Sequence, residues 1–365
     1  MPSNQMEIEG HSVWQVACGD TNRDFHDVFL RWDVILVGPG NFGDFAKHKE
    51  DYKKNNVSNS KINDLIRFTQ IKEDDWIVLR LGTKIIYGIG QVKGNYEWHD
   101  EFGDIDGWDL QHVRRVVWHW KYESDKIDDI YKKLGSILNK RPLKWGATIQ
   151  TVNPELKELK DLIIDIKKTI ASHKPIRLPE AENSTVQIDF VINSIQNNQF
   201  HLSYDFRSDF KKILDINNWY DANGIAPSEA ESINVFIIPL LNALGWSHEK
   251  IAIEWNHIDI VLFNTIEDRK NSKPIMIIEA KKRWDSFLTA KKQADGYAKE
   301  SNCDRIIVTN GICYSIYLRD KNNCFNDEPS AYLNTQRMKN SYPILGEGCK
   351  GATEALFMMS PYWKK

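Results

Sequence analysis

Cysteine is scarce in this 365-residue chain, and what there is does not pair. Cys18, Cys303, Cys313, Cys324 and Cys349 are odd in number and form no C-x-x-C couple. That excludes a secreted disulfide framework and a thiolate zinc site, and reads as reduced cytosolic thiols. No apolar run approaches the roughly 20 residues that a membrane-spanning helix needs. The opening MPSNQMEIEG lacks the basic and apolar segments of a secretory signal, so a cytoplasmic protein with no membrane partner is expected. No G-x-x-x-x-G-K-[ST] loop occurs, so no nucleotide cofactor is expected. An excess of positive charge is missing as well, with 48 Lys and Arg against 51 Asp and Glu. Such a balance does not advertise a polyanionic partner, yet it is compatible with positive charge confined to one groove.

What remains is an ordinary folded composition, 41% hydrophobic and 27% charged, long enough for two domains. Residues 1–150 read as mostly β, with the apolar runs VWQVACG, WDVILVG, DWIVLRLG and KIIYGIGQVKG ended by glycine-containing turns. RRVVWHWKY is a further strand with Val116, Trp118 and Trp120 on one face. LKELKDLIIDIKKTIASH has helical spacing, and HKPIRLPEAENSTV, with two prolines, is the best linker, so 151–190 reads as a helical connector and linker. A second domain then spans 191–365. VQIDFVINSIQNNQ is helical and leads into it. From 226 the order helix, strand, strand, helix, strand, strand indicates an α/β sheet with helices against it. The part from about 325, including SAYLNTQRMKNSYPI, reads as helical packing. Short basic clusters occur at Lys47–Lys54, Lys281–Arg283 and Lys291–Lys292.

Chemistry concentrates between His257 and Lys282. HIDIVLF and PIMIIEAKK are apolar, β-branched runs carrying Asp259 and Glu279, and Lys281 follows two residues later. Side chains alternate along a strand, so Glu279 and Lys281 share a face. If the runs are neighbouring strands, the three groups converge at one sheet edge. Two carboxylates suit a hard cation such as Mg²⁺, with Mn²⁺ as the alternative, and the ammonium can orient an attacking water and offset charge on a phosphate. A solvated charge ladder at a strand edge is the plainer reading. Against it, Glu279 ends a run that reads as buried, where an unpaired charge is costly.

The segment resembles the PD-(D/E)XK nuclease superfamily, with Asp259 and Glu279-Ala280-Lys281 as its D…(E)xK core, although no proline precedes Asp259. SEAESINVFIIPLLNALGWSHEKIAIEW is similar to the opening helix and strand of the nuclease domain in type I restriction R subunits. That resemblance makes Glu231 the acidic residue that completes the metal site. Gln293 and Tyr297 have the family's QxxxY spacing, which implies a role supporting the site or DNA; four apart on a helix, they equally suit packing beside the sheet. RIIVTNGICYSIYL resembles the family's following strand-turn-strand. The likeness covers about 226–320.

Eight of the 13 tryptophans lie before residue 150. Trp76 and Trp118 suit a core. Trp98 and Trp108 sit in acidic, glycine-containing, loop-like sequence, where aromatics are candidate stacking platforms for an unstacked base. Asp109, Gln111 and His112 are near enough to supply hydrogen bonds. VWQVACGDTNRDFHDVFLRWDVILVGPGNFGDF and the segments that follow resemble EVE domains, PUA-like modules akin to YTH domains that are associated with reading modified bases. The resemblance covers about 11–150 and implies a β-rich barrel with an aromatic-lined pocket, for which Trp32, Trp98 and Trp108 are the candidates and Trp14 is assigned to the core.

Together the halves imply a modification-dependent restriction endonuclease for phage defence. Its partner would be double-stranded DNA carrying 5-methyl- or 5-hydroxymethylcytosine, with N6-methyladenine as the alternative. Its architecture would be a PUA-like barrel, a helical linker and a C-terminal PD-(D/E)XK domain, and a C₂ homodimer would place two sites on opposite strands. Two other classes stand beside this one: a binding protein that has lost catalysis, and an RNA-directed nuclease or RNA-binding module.

Overall fold

The computed structural model describes residues 5–20, 23–123, 126–169, 174–179, 186–198, 205–282, 287–301, 303–322 and 324–363. Two compact units divide the chain, Met1–Ala181 and Glu182–Lys365, so the boundary falls within the stretch read as connector. Residues 170–173 of the expected connector helix and 180–185 of the linker lie outside the described residues. The architecture is mixed α/β, and no described helix is long and apolar enough to cross a membrane.

The first unit is built on β1 (Glu7–Ile8), β2 (His11–Ala17), β5 (Val34–Val37), β6 (Trp76–Leu81), β7 (Ile85–Trp98), β8 (His112–Lys121) and β9 (Ile149–Thr151), with a small ribbon of β3 (Gly19–Asp20) and β4 (Arg23–Asp24). The large sheet runs β1-β2-β6-β7-β8-β5, with β9 also on β2. The expected barrel does not close among the described residues. β5 pairs only with β8, and β1 and β9 only with β2. The β5 edge ends after four residues at Gly38 and cis-Pro39, and proline cannot donate to a ladder.

Five helices accompany this sheet: α1 (His26–Arg31), α2 (Phe45–Lys54), α3 (Asn59–Gln70), α4 (Asp129–Lys140) and α5 (Lys157–Thr169). The first four correct the mostly-β reading of 1–150. Three of them start at ordinary side-chain caps: for α2, α3 and α4, Asp44, Ser58 and Asp128 accept the N–H groups of Ala46, Lys61 and Tyr131. Val13, Trp76, Val78, Ile89 and Trp120 pack with Leu134, Leu138, Leu159, Ile163 and Ile166, so α4 and α5 share the core of this unit. Val116, Trp118 and Trp120 are buried, and so are Val117 and His119 between them. Gly90 leaves room for the indole of Trp118, since a Cβ there would lie 2.9 Å from the ring.

The second unit holds a six-stranded sheet ordered β10 (Ile251–Trp255), β11 (Ile258–Leu262), β12 (Met276–Ala280), β13 (Arg305–Thr309), β14 (Cys313–Leu318) and β15 (Ala331–Asn334). All neighbours are antiparallel except β12 and β13, which are parallel. A parallel pair needs a crossover, here α11 (Phe287–Ser301). The remaining helices are α6 (Ile188–Asn198), α7 (Phe206–Ala222), α8 (Glu229–Ser232), α9 (Ile238–Ala243), α10 (Ile266–Lys270) and α12 (Ala352–Met359). Ile260, Met276, Ile278, Ala280, Ile307 and Ile316 meet Phe206, Phe210, Phe236, Leu240 and Leu356 in one core.

The order from α8 is therefore helix, two strands, the short α10, one strand, helix, three strands. On one side the additional strand belongs to the β10–β11 hairpin, whose turn residues Asn256 and His257 both have positive φ, as a type I′ turn requires. His257 thus lies in the turn rather than at the head of a strand. On the other side β15 occupies the segment read as helical. Its outer edge is paired, with the Tyr332 N–H donating to Lys350 O at 2.9 Å.

A π turn (Ile233–Ile237) joins α8 to α9, with the Ile238 N–H bonding to Ile233 O five residues back. Pro239 follows directly. It has no N–H to give to residue 235 and its ring would strike that carbonyl, so the backbone widens there.

Candidate functional site

Strand alternation sends Ile278 and Ala280 into the large core and Glu279 to the opposite face. Asp259 lies where the ladder lapses on both sides. The β10–β11 pairs step from Ile253–Ile260 to Trp255–Ile258, and β11–β12 pairing ends at Ile260–Ile278. In place of a ladder bond, Asp259 Oδ2 accepts the Ala280 N–H at 2.7 Å. The Lys281 N–H donates to Thr309 O at 2.8 Å, which fixes the backbone just beyond β12. Lys281 Nζ donates to Glu279 Oε1 at 2.8 Å. Asp259, Glu279 and Lys281 are thus brought together across adjacent strands.

Glu279 is 1% exposed and its Oε2 has no hydrogen-bond partner among the described residues. Burial pushes its carboxyl up to about 7; the hydrogen bond from Lys281 works the other way, and the charges of Asp259 and Glu229 add to the rise. Lys281 is pushed down by burial, but its carboxylate neighbours, Glu279 first, leave it above the usual lysine range. It therefore stays an ammonium, able to donate but not to act as a base.

Among the described residues no group of three or more His, Cys, Asp or Glu side chains is placed to hold a metal by itself. Mg²⁺ does not require such a cage, since it commonly uses one or two carboxylates and keeps waters and substrate phosphate oxygens as its other ligands. The orphaned, buried Oε2 of Glu279, close to a second carboxylate, fits a hard cation. Its local electrostatics lack one positive charge.

Glu231 is placed differently from the expectation. It is exposed, and its Oε2 accepts the Ser228 N–H at 2.8 Å in a capping box closed by Ser228 Oγ on the Glu231 N–H. Those hydrogen bonds from Ser228 hold its carboxyl below the usual range. The acidic side chain of this helix whose charge bears on both Glu279 and Lys281 is half-buried Glu229. The signal was in the sequence: Ser228-Glu229-Ala230-Glu231 is the S-x-x-E capping pattern, which commits Glu231 to its own helix end.

Gln293 is exposed and Tyr297 half-buried on α11, joined to each other at 3.5 Å. Neither hydrogen-bonds to Asp259, Glu279 or Lys281 among the described residues. Ala290, Ala294 and Ala298 carry the buried side of that helix. Arg283, the end of one basic cluster, lies outside the described residues.

In the first unit, Trp98, Asp109 and Gln111 gather around the Gly38-Pro39-Gly40 loop. Trp98 ends β7, half-buried, and its indole N–H donates to Gly40 O at 2.9 Å. Gln111 is 2% exposed, with its amide wedged between two glycines: a Cβ on Gly40 would lie 2.3 Å from Oε1, and one on Gly103 2.7 Å from Nε2. Its Nε2 reaches Asp109 Oδ1 at 3.5 Å, and its Oε1 has no partner. Trp108 is turned to another neighbour, its ring lying 4.0 Å beneath the Arg23 guanidinium. Trp32 caps α1 just before Val34, which pairs with Arg115, whereas Trp98 pairs with His112. Three strand steps, about 10 Å, separate those registers.

His112 is spent internally. Its Nε2 lies 2.8 Å from Pro39 O and 2.9 Å from Tyr52 Oη, and its Nδ1 lies 2.7 Å from Tyr96 Oη. A carbonyl accepts only, so Nε2 carries the proton and Nδ1 receives the Tyr96 hydroxyl. Burial pushes this ring down to about 4 against the pull of Pro39 O and Asp44, keeping it neutral. It pins the glycine loop rather than facing a ligand.

Residues 14–137, from β2 into α4, match a family model described as Domain of unknown function (DUF8426). No curated protein and no solved structure matches the chain.

Proposed function

We propose that this chain is a divalent-metal-dependent DNA endonuclease whose N-terminal unit selects DNA by a modified base, with modified cytosine favoured. The observation that carries the reading is the orphaned carboxylate oxygen of buried Glu279, set beside Asp259 and Lys281 at the end of β12. The parallel β12–β13 junction with its α11 crossover, inside an order resembling the nuclease core, supports it further.

A divalent cation, when bound, supplies positive charge to the phosphate and the attacking water. Asp259 and Glu279 would hold it. Lys281, fixed as an ammonium by its carboxylate neighbours, donates to a phosphate oxygen as negative charge builds there. Water forms the new P–O bond and releases a proton to solvent, the P–O bond to the leaving sugar oxygen breaks, and that oxygen departs with a proton from solvent. In the N-terminal unit, Gln111 Oε1 is a buried acceptor for a base N–H, with the Trp98 ring nearby.

The test is incubation with Mg²⁺ and matched DNAs differing only in base modification. Cutting of modified DNA alone, stopped by excess chelator, is the expected result. Binding without cutting would favour the non-catalytic reading, and cutting of RNA alone would move the substrate class.

A further inference from the structure

Trp145 is 67% exposed, the most exposed large apolar side chain among those described. Among the described residues its indole makes no hydrogen bond and no ring or cation contact. A displayed tryptophan gives up the burial that normally stabilises it. Here the display is held rigidly.

On one side Leu143 is buried and its N–H donates to Thr83 O at 3.0 Å. Lys144 O accepts from Gln150 Nε2 at 2.9 Å and Gln15 Nε2 at 3.5 Å. On the other side Ala147 O accepts from Arg80 Nη2 at 2.8 Å, and the Thr148 N–H reaches Asp64 Oδ2 at 3.3 Å. Gly146 between them has φ +115° and open space where a Cβ would stand. The flank of the ring is therefore clear for a planar ligand.

The charges of this loop that lack an ion-pair partner among the described residues are positive. Lys140 and Arg141 are paired with Glu158 and Glu155 at 3.7 and 3.6 Å. Lys144, adjacent to the ring, and Lys84, in the turn bonded to Leu143, are exposed and have no ion-pair partner among the described residues. A rigid aromatic face with two unneutralised ammonium groups suits a polymer that alternates planar bases with phosphates.

We infer that the 140–147 loop is a nucleic-acid contact in which Trp145 stacks on an unpaired base while Lys84 and Lys144 take phosphates. This contact is separate from the Trp98–Gln111 pocket and rests on the reading of the chain as a nucleic-acid enzyme. It serves any sequence, because every base has a π face, and it would hold a strand opened beside a flipped base.

The test uses the full chain without divalent metal and labelled oligothymidylate, with modified and unmodified duplexes in parallel. Trp145→Ala should weaken oligothymidylate binding by about fivefold to a hundredfold with an unchanged melting temperature, and Trp145→Phe should retain most of the affinity. Lys84→Gln with Lys144→Gln should flatten the salt dependence by up to about 1.4 units of log–log slope. Equal affinity of Trp145→Ala and wild type would overturn the inference. So would loss of self-association in sedimentation with oligonucleotide binding intact, which would assign the ring to a protein contact. If Trp145-dependent binding persists but no duplex is preferred or cut, the proposed function fails and this contact stands.

Discussion

Glu279 places a carboxylate where a folded chain without metal gains nothing from it. One oxygen lacks a partner among the described residues, and burial, with two further carboxylates adding to it, raises its pKa to about 7 against the hydrogen bond from Lys281. Glu279→Gln removes the charge and keeps the shape. Without metal it should therefore raise stability by about 1 kcal/mol, roughly 2–4 °C for a unit of this size, while reducing cleavage to background and leaving DNA binding unchanged. Calorimetry beside a cleavage assay checks both, and a variant that still cuts would remove Glu279 from the metal site. The two glutamates of α8 provide a second comparison. Glu229→Gln should depress cleavage without altering stability. Glu231→Ala should lower stability slightly through its cap and leave cleavage by the folded protein intact; the reverse pattern would restore Glu231 to the site. At this scale the sequence was readable where one rule acts alone. Asp259, Glu279 and Lys281 follow from strand alternation. Glu229 and Glu231 lie two apart on a helix, and a local capping rule decides between them.

Among the elements, the strands were the more legible. Continuous apolar runs such as PIMIIEA became β12 almost unchanged, because a strand buried on both faces has one strong signature. Helix α2 is hard to read because its apolar positions are sparse, with only Phe45 and Tyr52 buried, whereas α3 carries Ile62, Leu65 and Phe68 at helical spacing; both are also marked by caps, at Asp44 and Ser58. β15 read as helix because four residues cannot show a period, and its pairing with Lys350 is a contact the local pattern does not encode. The packing of the first unit also sets its response to pH. Burial alone would push His26 down, but hydrogen bonds to Asp24 and Asp27 carry it up to about 9. A base raised in the fold stabilises below its unfolded value near 6.5 and loses that contribution as pH climbs through about 9. His112, lowered to about 4, does the opposite: its contribution is whole above about 6.5 and is lost as pH falls through about 4. These two groups together should give the first unit greatest stability near pH 6.5. His26→Gln should flatten the alkaline side only, as read by thermal melts across pH, and unchanged melts would remove the Asp24–His26–Asp27 arrangement from its stability.

At the scale of the whole molecule there are two units with separate cores, one carrying the wedged Gln111 and the other the Glu279 carboxylate. The barrel was expected from a family likeness rather than from strand pattern, and a sheet closes only if its last strand finds its first. A four-residue β5 that stops at cis-Pro39 does not provide that partner among the described residues. One consequence of the proposed chemistry concerns copy number. A single Asp259–Glu279–Lys281 site makes one in-line attack and cuts one strand. Duplex strands are antiparallel and related by two-fold axes, so a C₂ pair of chains is the closed arrangement that reaches both. Nicked circles should therefore accumulate at low protein concentration, and the fraction converted directly to linear product should rise with concentration, while sedimentation on modified duplex shows two chains per DNA. A linear fraction that does not change with concentration, together with one chain per duplex, would mean that each copy visits the two strands in turn. The residues around Glu279 would then act without a second subunit.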